Sequence, residues 1–153
     1  MVMIKPKTVV GMKLDGACPS HTRTDVRTRD VRTIIDEPTE RDGTNRGLTP
    51  TETLMAALLG CTNVIAHRVA EAKGVHFTSM NIRLEADLDR RGVTLAEEID
   101  IPFPRVTLFI DVTTDADEAS LAEVKRDLGR FCPISKVLQQ AGTKLEEVWS
   151  VSR

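Results

Sequence analysis

Apolar positions in the first third of the chain fall in short runs rich in Val, Thr and Ile, at residues 8–14, 21–27 and 31–35, broken by Asp-Gly and Cys-Pro turn signals. Such runs predict strands. A polar stretch at residues 36–48, with Pro, Asp-Gly, Asn and Gly clustered, predicts a loop. Thr49-Pro50-Thr51-Glu52 then places Thr at a helix N-cap, Pro at the first helical position and Glu at N3, a capping box that opens a long helix. At 100° per residue, Leu54, Leu58, Cys61, Ile65, Val69 and Ala72 form a stripe within about 80°, and Gly74 supplies the stop. Strict alternation follows: Met80, Ile82, Leu84, Ala86 and Leu88, then Val106, Leu108, Ile110 and Val112, predict two half-buried strands. Residues 90–104, with Gly92 and two prolines, read as the long connection of a hairpin. Residues 115–130 are acidic early and basic late, as a helix dipole favours. Cys132-Pro133 opens a second short helix closed by Gly142, and Leu145, Val148 and Val151 predict a final strand. The order, β-rich opening, long helix, hairpin, two helices, strand, is that of a single α+β domain over 1–153.

The charge balance narrows the function classes. With 21 Lys+Arg against 23 Asp+Glu, 3% aromatic residues and no Tyr, the chain offers neither an electrostatic footprint for nucleic acid nor a base-stacking platform. The longest nearly unbroken apolar run, residues 54–61, falls short of the roughly 20 residues of a membrane span. The opening MVMIKPKTVVGMKLDG lacks a continuous apolar segment and does not read as a signal peptide, so a cytoplasmic protein is expected. Three cysteines, an odd count, fit a reducing compartment and argue against a disulfide framework.

Two positions combine a reactive atom with an activating context. Cys132, at or beside the N-cap of a helix begun by Pro133, lies where unpaired amides favour thiolate over thiol; the ordinary alternative is a small residue tolerated at a helix start. Cys61, on the apolar stripe, reads by default as an inert core thiol. Spacing does not say whether the two sulfurs meet. Cys18, before Pro19 in a turn, reads as a bystander, and His21, His67 and His76 match no metal-ligand spacing, so no metal is expected.

The block PTETLMAALLGCTNVIAHRVAEAKG together with FCPISKVL resembles the OsmC/Ohr family, named for osmotically inducible protein C and organic hydroperoxide resistance protein. The resemblance implies an OsmC-like fold in an intertwined homodimer, with two long helices back to back and antiparallel sheets from both chains wrapped around them. It also implies a thiol-dependent peroxidase for organic hydroperoxides. In that chemistry Cys61 attacks the peroxide and becomes a sulfenic acid, Cys132 condenses with it to a disulfide, and an external dithiol, possibly lipoyl-type, restores both thiols without a resident cofactor. A cation must hold the attacking thiolate, and Arg41, twenty residues before Cys61, is the counterpart by spacing among several arginines that otherwise read as surface charges.

The sequence departs from the family's peroxidases at one position. They carry Glu directly after the helix-opening Pro, where it orients the Arg; here that residue is Thr51, and Glu52 is one residue later, about 100° around the helix. Capping accounts for Glu52, and a direct catalytic contact is the alternative. OsmC-like proteins outside the peroxidase branches share this Pro-x-Glu opening, which supports a competing reading: a non-peroxidase OsmC-like protein, redox-responsive or binding a small ligand.

Overall fold

A computed structural model describes residues 8–153 of the chain. The fold is α+β, with two three-stranded sheets and three α-helices among the described residues. Two compact units follow the chain, one ending at Thr53 and the other covering Leu54–Arg153. The opening segment in which no leader was read begins at Met1, and its first seven residues lie outside the described ones.

In the first unit, β1 (Asp15–Ala17), β2 (Arg23–Thr28) and β3 (Val31–Asp36) form an antiparallel sheet in that order. β2 and β3 are joined by the two-residue turn Arg29-Asp30, with Arg29 at a φ of 52°. The expected strand at residues 8–14 does not form. Asp15 pairs with Arg27 near the end of β2, so the residues before it run past the turn, where no further backbone of this sheet remains to pair with. The Asp15-Gly16 signal, expected to break strands, lies inside β1. β3 leads into a 3-10 turn, Thr39–Arg41. Beyond it, the buried Asp36 carboxylate fixes the loop: its Oδ2 accepts from the Thr44 N–H (3.1 Å), the Thr44 hydroxyl (2.5 Å) and the Arg46 N–H (3.1 Å).

The long helix α1 (Pro50–Ala72) carries the chain into the second unit. Its start is the capping box read from the sequence: the Glu52 N–H donates to Thr49 Oγ1 (3.2 Å), and the Thr49 N–H donates to Glu52 Oε2 (2.9 Å). Gly74, at a φ of 70°, follows the helix end. Although no unbroken apolar run is long enough, α1 as a whole is 23 residues and apolar enough by length and composition to cross a membrane. Its buried side chains nonetheless join the protein's own core.

In the second unit β4 (Ser79–Asp87) pairs antiparallel with the central β5 (Arg105–Thr113), and β6 (Lys144–Ser152) pairs parallel with β5 on its other side. The parallel pairing needs a crossover, supplied by α2 (Glu118–Phe131) and α3 (Pro133–Gln140). Val106, Leu108, Ile110 and Val112 of β5 are almost fully buried, and against them lie Met55, Leu58 and Ala66 of α1 with Leu121, Val124 and Leu128 of α2 in one core cluster. Period-2 alternation placed β4 and β5 to within one residue at each end. The β4 to β5 connection is tied by Arg91, whose guanidinium reaches Asp89 (2.6 Å) and Glu97 (2.7 Å).

The face of α1 differs from the expected stripe. Its buried residues are Met55, Leu58, Thr62, Ala66, Val69 and Ala70, whereas Leu54, Cys61 and Ile65 are half-buried and Ala72 is exposed. On a helical wheel this is a rotation of about 70°. Met55, Leu58, Thr62, Ala66, Val69 and Ala70 are the side chains turned inward.

Candidate active site

Cys61 lies near the middle of α1 at the margin between its buried and exposed sides, and Cys132 is fully buried where α2 ends and α3 begins. Cys132 is the C-cap of α2, donating its N–H to the Leu128 carbonyl (3.0 Å), and the N-cap of α3 with Pro133 next in line. The last turn of α2 and the first of α3 thus fix its backbone. All three cysteines are free thiols.

The fold brings the Cys61 and Cys132 thiols together. Burial pushes the Cys61 thiol up from its ordinary value; the adjoining Cys132 thiol acts in the same direction, and the Ile134 backbone N–H, at the first turn of α3, pulls it down. The helix start expected to activate Cys132 therefore directs an amide at Cys61, while Cys132 itself makes no side-chain capping bond. Among the residues of the second unit, none of the groups acting on Cys61 is a cation. The pair as it stands is a thiol next to a thiol.

Arg41 belongs to the first unit. It closes the 3-10 turn, and its Nε donates to Glu37 Oε2 at 2.5 Å, an i,i+4 ion pair. Glu37 and Arg41 stand four residues apart, the spacing of an i,i+4 pair. Glu52 is engaged by the Thr49 amide, and the Thr51 hydroxyl lies 3.2 Å from that of Thr49, so both side chains serve the helix start. Cys18 is exposed, 3.8 Å from the Thr24 hydroxyl. His67 places Nδ1 2.9 Å from the Asn63 carbonyl and packs edge-on against Phe77. Among the described residues no group of three or more His, Cys, Asp or Glu side chains is arranged to hold a metal ion.

Comparison with known proteins gives this geometry a context. The family model for OsmC-like protein matches residues 43–148. No curated protein sequence matches the chain. Among solved structures, the fold is similar to that of an OsmC-like protein from Mycoplasma pneumoniae, with a TM-score of 0.79 at 14% identity, over 94% of this chain and 99% of that one. It is similar to an organic hydroperoxide resistance protein OsmC from Legionella pneumophila, at 0.67 and 16%, over 96% and 100%. A third likeness is to an OsmC-like protein of unknown function from Vibrio cholerae, at 0.69 and 10%, over 94% and 100%. At such identities the structural likeness establishes the fold.

Proposed function

The chain belongs to the OsmC-like protein family, and from that premise we propose that it is a thiol-dependent peroxidase that reduces organic hydroperoxides through Cys61 and Cys132. The observation that carries the reading is the meeting of a half-buried mid-helix thiol with a buried thiol fixed between two helices. The Cys61 thiolate attacks the distal oxygen of ROOH; the O–O bond breaks, ROH leaves after taking up a proton, and Cys61 becomes a sulfenic acid. The Cys132 sulfur then attacks the sulfenic sulfur, a disulfide forms and water leaves. An external dithiol, possibly of lipoyl type, returns the pair to two thiols and is itself oxidised to a disulfide. Sulfur supplies all the redox chemistry, so no resident cofactor is required.

Since burial and Cys132 both favour the protonated Cys61, attack requires a cation at the thiolate, and Arg41, the counterpart by sequence spacing alone, is the residue proposed for it. The protein acts as a cytoplasmic homodimer. Likeness in fold to proteins described as organic hydroperoxide resistance proteins supports the substrate class. The test is consumption of cumene hydroperoxide with dithiothreitol present. Turnover that disappears in Cys61→Ser, and a within-chain Cys61 to Cys132 disulfide after one equivalent of peroxide without reductant, are expected. Oxidation confined to Cys18, or turnover indifferent to Cys61→Ser, overturns the reading.

One observation favours a second reading. With Thr51 after the helix-opening Pro, and with Glu52 committed to the capping box, neither side chain at that site holds an arginine. A protein that keeps the thiol pair as a redox-responsive or small-ligand-binding module would then form the disulfide once per oxidising equivalent without sustained turnover.

A further inference from the structure

The hairpin of the first sheet carries four arginines between residues 23 and 32. Arg23 is matched by Asp25, at 2.6 Å on its own strand. The other three, Arg27, Arg29 and Arg32, line a cleft of about 350 Å3 at the hairpin end together with Lys13, and only Asp15 and Asp30 oppose these four cations there.

The register concentrates that charge. Arg27 of β2 and Arg32 of β3 stand directly opposite one another. Residues so paired leave the same face of a sheet with their Cβ atoms roughly 5 Å apart, and like charges placed there repel. Asp15 stands opposite Arg27 on its other side, but its Oδ2 lies 3.4 Å from Arg27 Nε and both side chains are largely exposed, which makes a weak surface pair. Read across the three strands, the row is one carboxylate followed by two guanidiniums. Among the described residues no carboxylate reaches Arg29, Arg32 or Lys13 at ion-pair distance.

Two further features bring cations to this end of the sheet. Arg29 sits in the hairpin turn at a φ of 52°, a conformation that glycine and asparagine adopt more readily. Lys13 belongs to the segment that forms no strand, yet the hydroxyl of Thr28, the last residue of β2, donates to the Lys13 carbonyl at 2.9 Å and ties that segment beside the turn.

We propose that the hairpin end is a binding site for a small phosphate-bearing molecule, whose phosphate sits between the Arg27 and Arg32 guanidiniums with Lys13 and Arg29 beside it. A multivalent oxyanion relieves the repulsion between the opposed arginines, and the planar guanidinium fork matches phosphate oxygens two at a time. The cleft suits a small molecule better than a nucleic acid strand, because no aromatic side chain lines it for a base to stack on. None of these residues takes part in the peroxide chemistry proposed above, so the inference stands or falls apart from it.

The test is calorimetric titration of the full-length protein with sodium pyrophosphate at constant ionic strength, chloride being the balancing anion. One equivalent should bind per chain, and Arg27→Gln and Arg32→Gln should each weaken binding about tenfold, the loss expected for a charge-assisted bond. Asp15→Asn, which removes a competing carboxylate, should strengthen it. Arg29→Gly should weaken binding while melting no lower than wild type, since glycine suits the turn, so its loss cannot be ascribed to misfolding. Arg83→Gln, on β4 of the other sheet, should leave affinity unchanged. No saturable binding up to about 1 mM pyrophosphate overturns the proposal, as does undiminished affinity in both Arg27→Gln and Arg32→Gln. A loss in Arg83→Gln equal to theirs overturns it in favour of diffuse charge attraction. Binding to phosphatidylglycerol vesicles that excess pyrophosphate does not displace overturns it in favour of a membrane surface.

Discussion

Cys61 occupies a place on α1 that is neither core nor surface, and its chemistry follows from that. Partial burial and the neighbouring Cys132 thiol keep it protonated, while the Ile134 amide opposes them. A disulfide with Cys132 forms only after one sulfur is oxidised. Thr51 and Glu52 offer the sharpest residue-level test of whether the helix start contributes to activity. Glu52→Gln keeps an acceptor for the Thr49 amide while deleting the charge, so both stability and peroxide turnover should be retained. If Glu52 held an active-site arginine instead, its loss would slow attack by about tenfold or more, since charge-assisted bonds contribute about 1.5–3 kcal/mol. Stopped-flow oxidation of the reduced protein distinguishes the outcomes. Thr51→Glu should raise a slow peroxide turnover if the carboxylate missing after Pro50 is the limitation.

Among the elements, α1 and α2 are joined at one end by a charge cluster around Asp127, which is 5% exposed. Arg126 (3.0 Å), then Arg130 (3.1 Å) and Lys73 beyond the end of α1 (3.5 Å), pull its carboxyl down to about 2 against the opposing effect of burial, and Lys73 also reaches Glu123 at 2.7 Å. Because the folded carboxyl titrates below its ordinary value of 3.8, its contribution to stability is present above about pH 4 and is lost as the pH falls toward 2. Asp127→Asn should therefore lower the melting temperature by several degrees at neutral pH and by progressively less in acid, a convergence that melting curves across that window will show. An unchanged difference across the window would mean that packing of the side chain, not its charge, stabilises the helix pair. The junction between α2 and α3 is also an element-scale device. One residue, Cys132, terminates one helix and starts the next, so its sulfur is carried on backbone held from both sides.

At the scale of the whole molecule, the segment at residues 8–14 presents Val9, Val10, Met12 and Leu14 to solvent with no strand partner in its own sheet, and Val64 is exposed on the outer side of α1. These surfaces support the proposed homodimer. Sedimentation should give a dimer at micromolar concentration, and the unfolding midpoint should rise with protein concentration. A stable folded monomer would remove the homodimer from the proposal. The sequence by itself determined the strand alternation of β4 and β5, the capping box at Thr49 and Glu52, and the start of α3 at Cys132-Pro133, because each depends on residues within a short stretch of chain. Which face of α1 turns inward was decided by tertiary packing: Met55, Thr62, Ala66 and Ala70 are buried where the stripe rule expected Leu54, Cys61 and Ile65, because the rule ranks residues by polarity and not by what the rest of the fold presents to them. Only the fold could bring Cys61 and Cys132 together, as they stand on separate helices far apart in sequence and their meeting depends on how those helices pack. The fate of residues 8–14 was equally beyond local reading, because a strand needs a neighbour to pair with, and the hairpin ended before it could supply one.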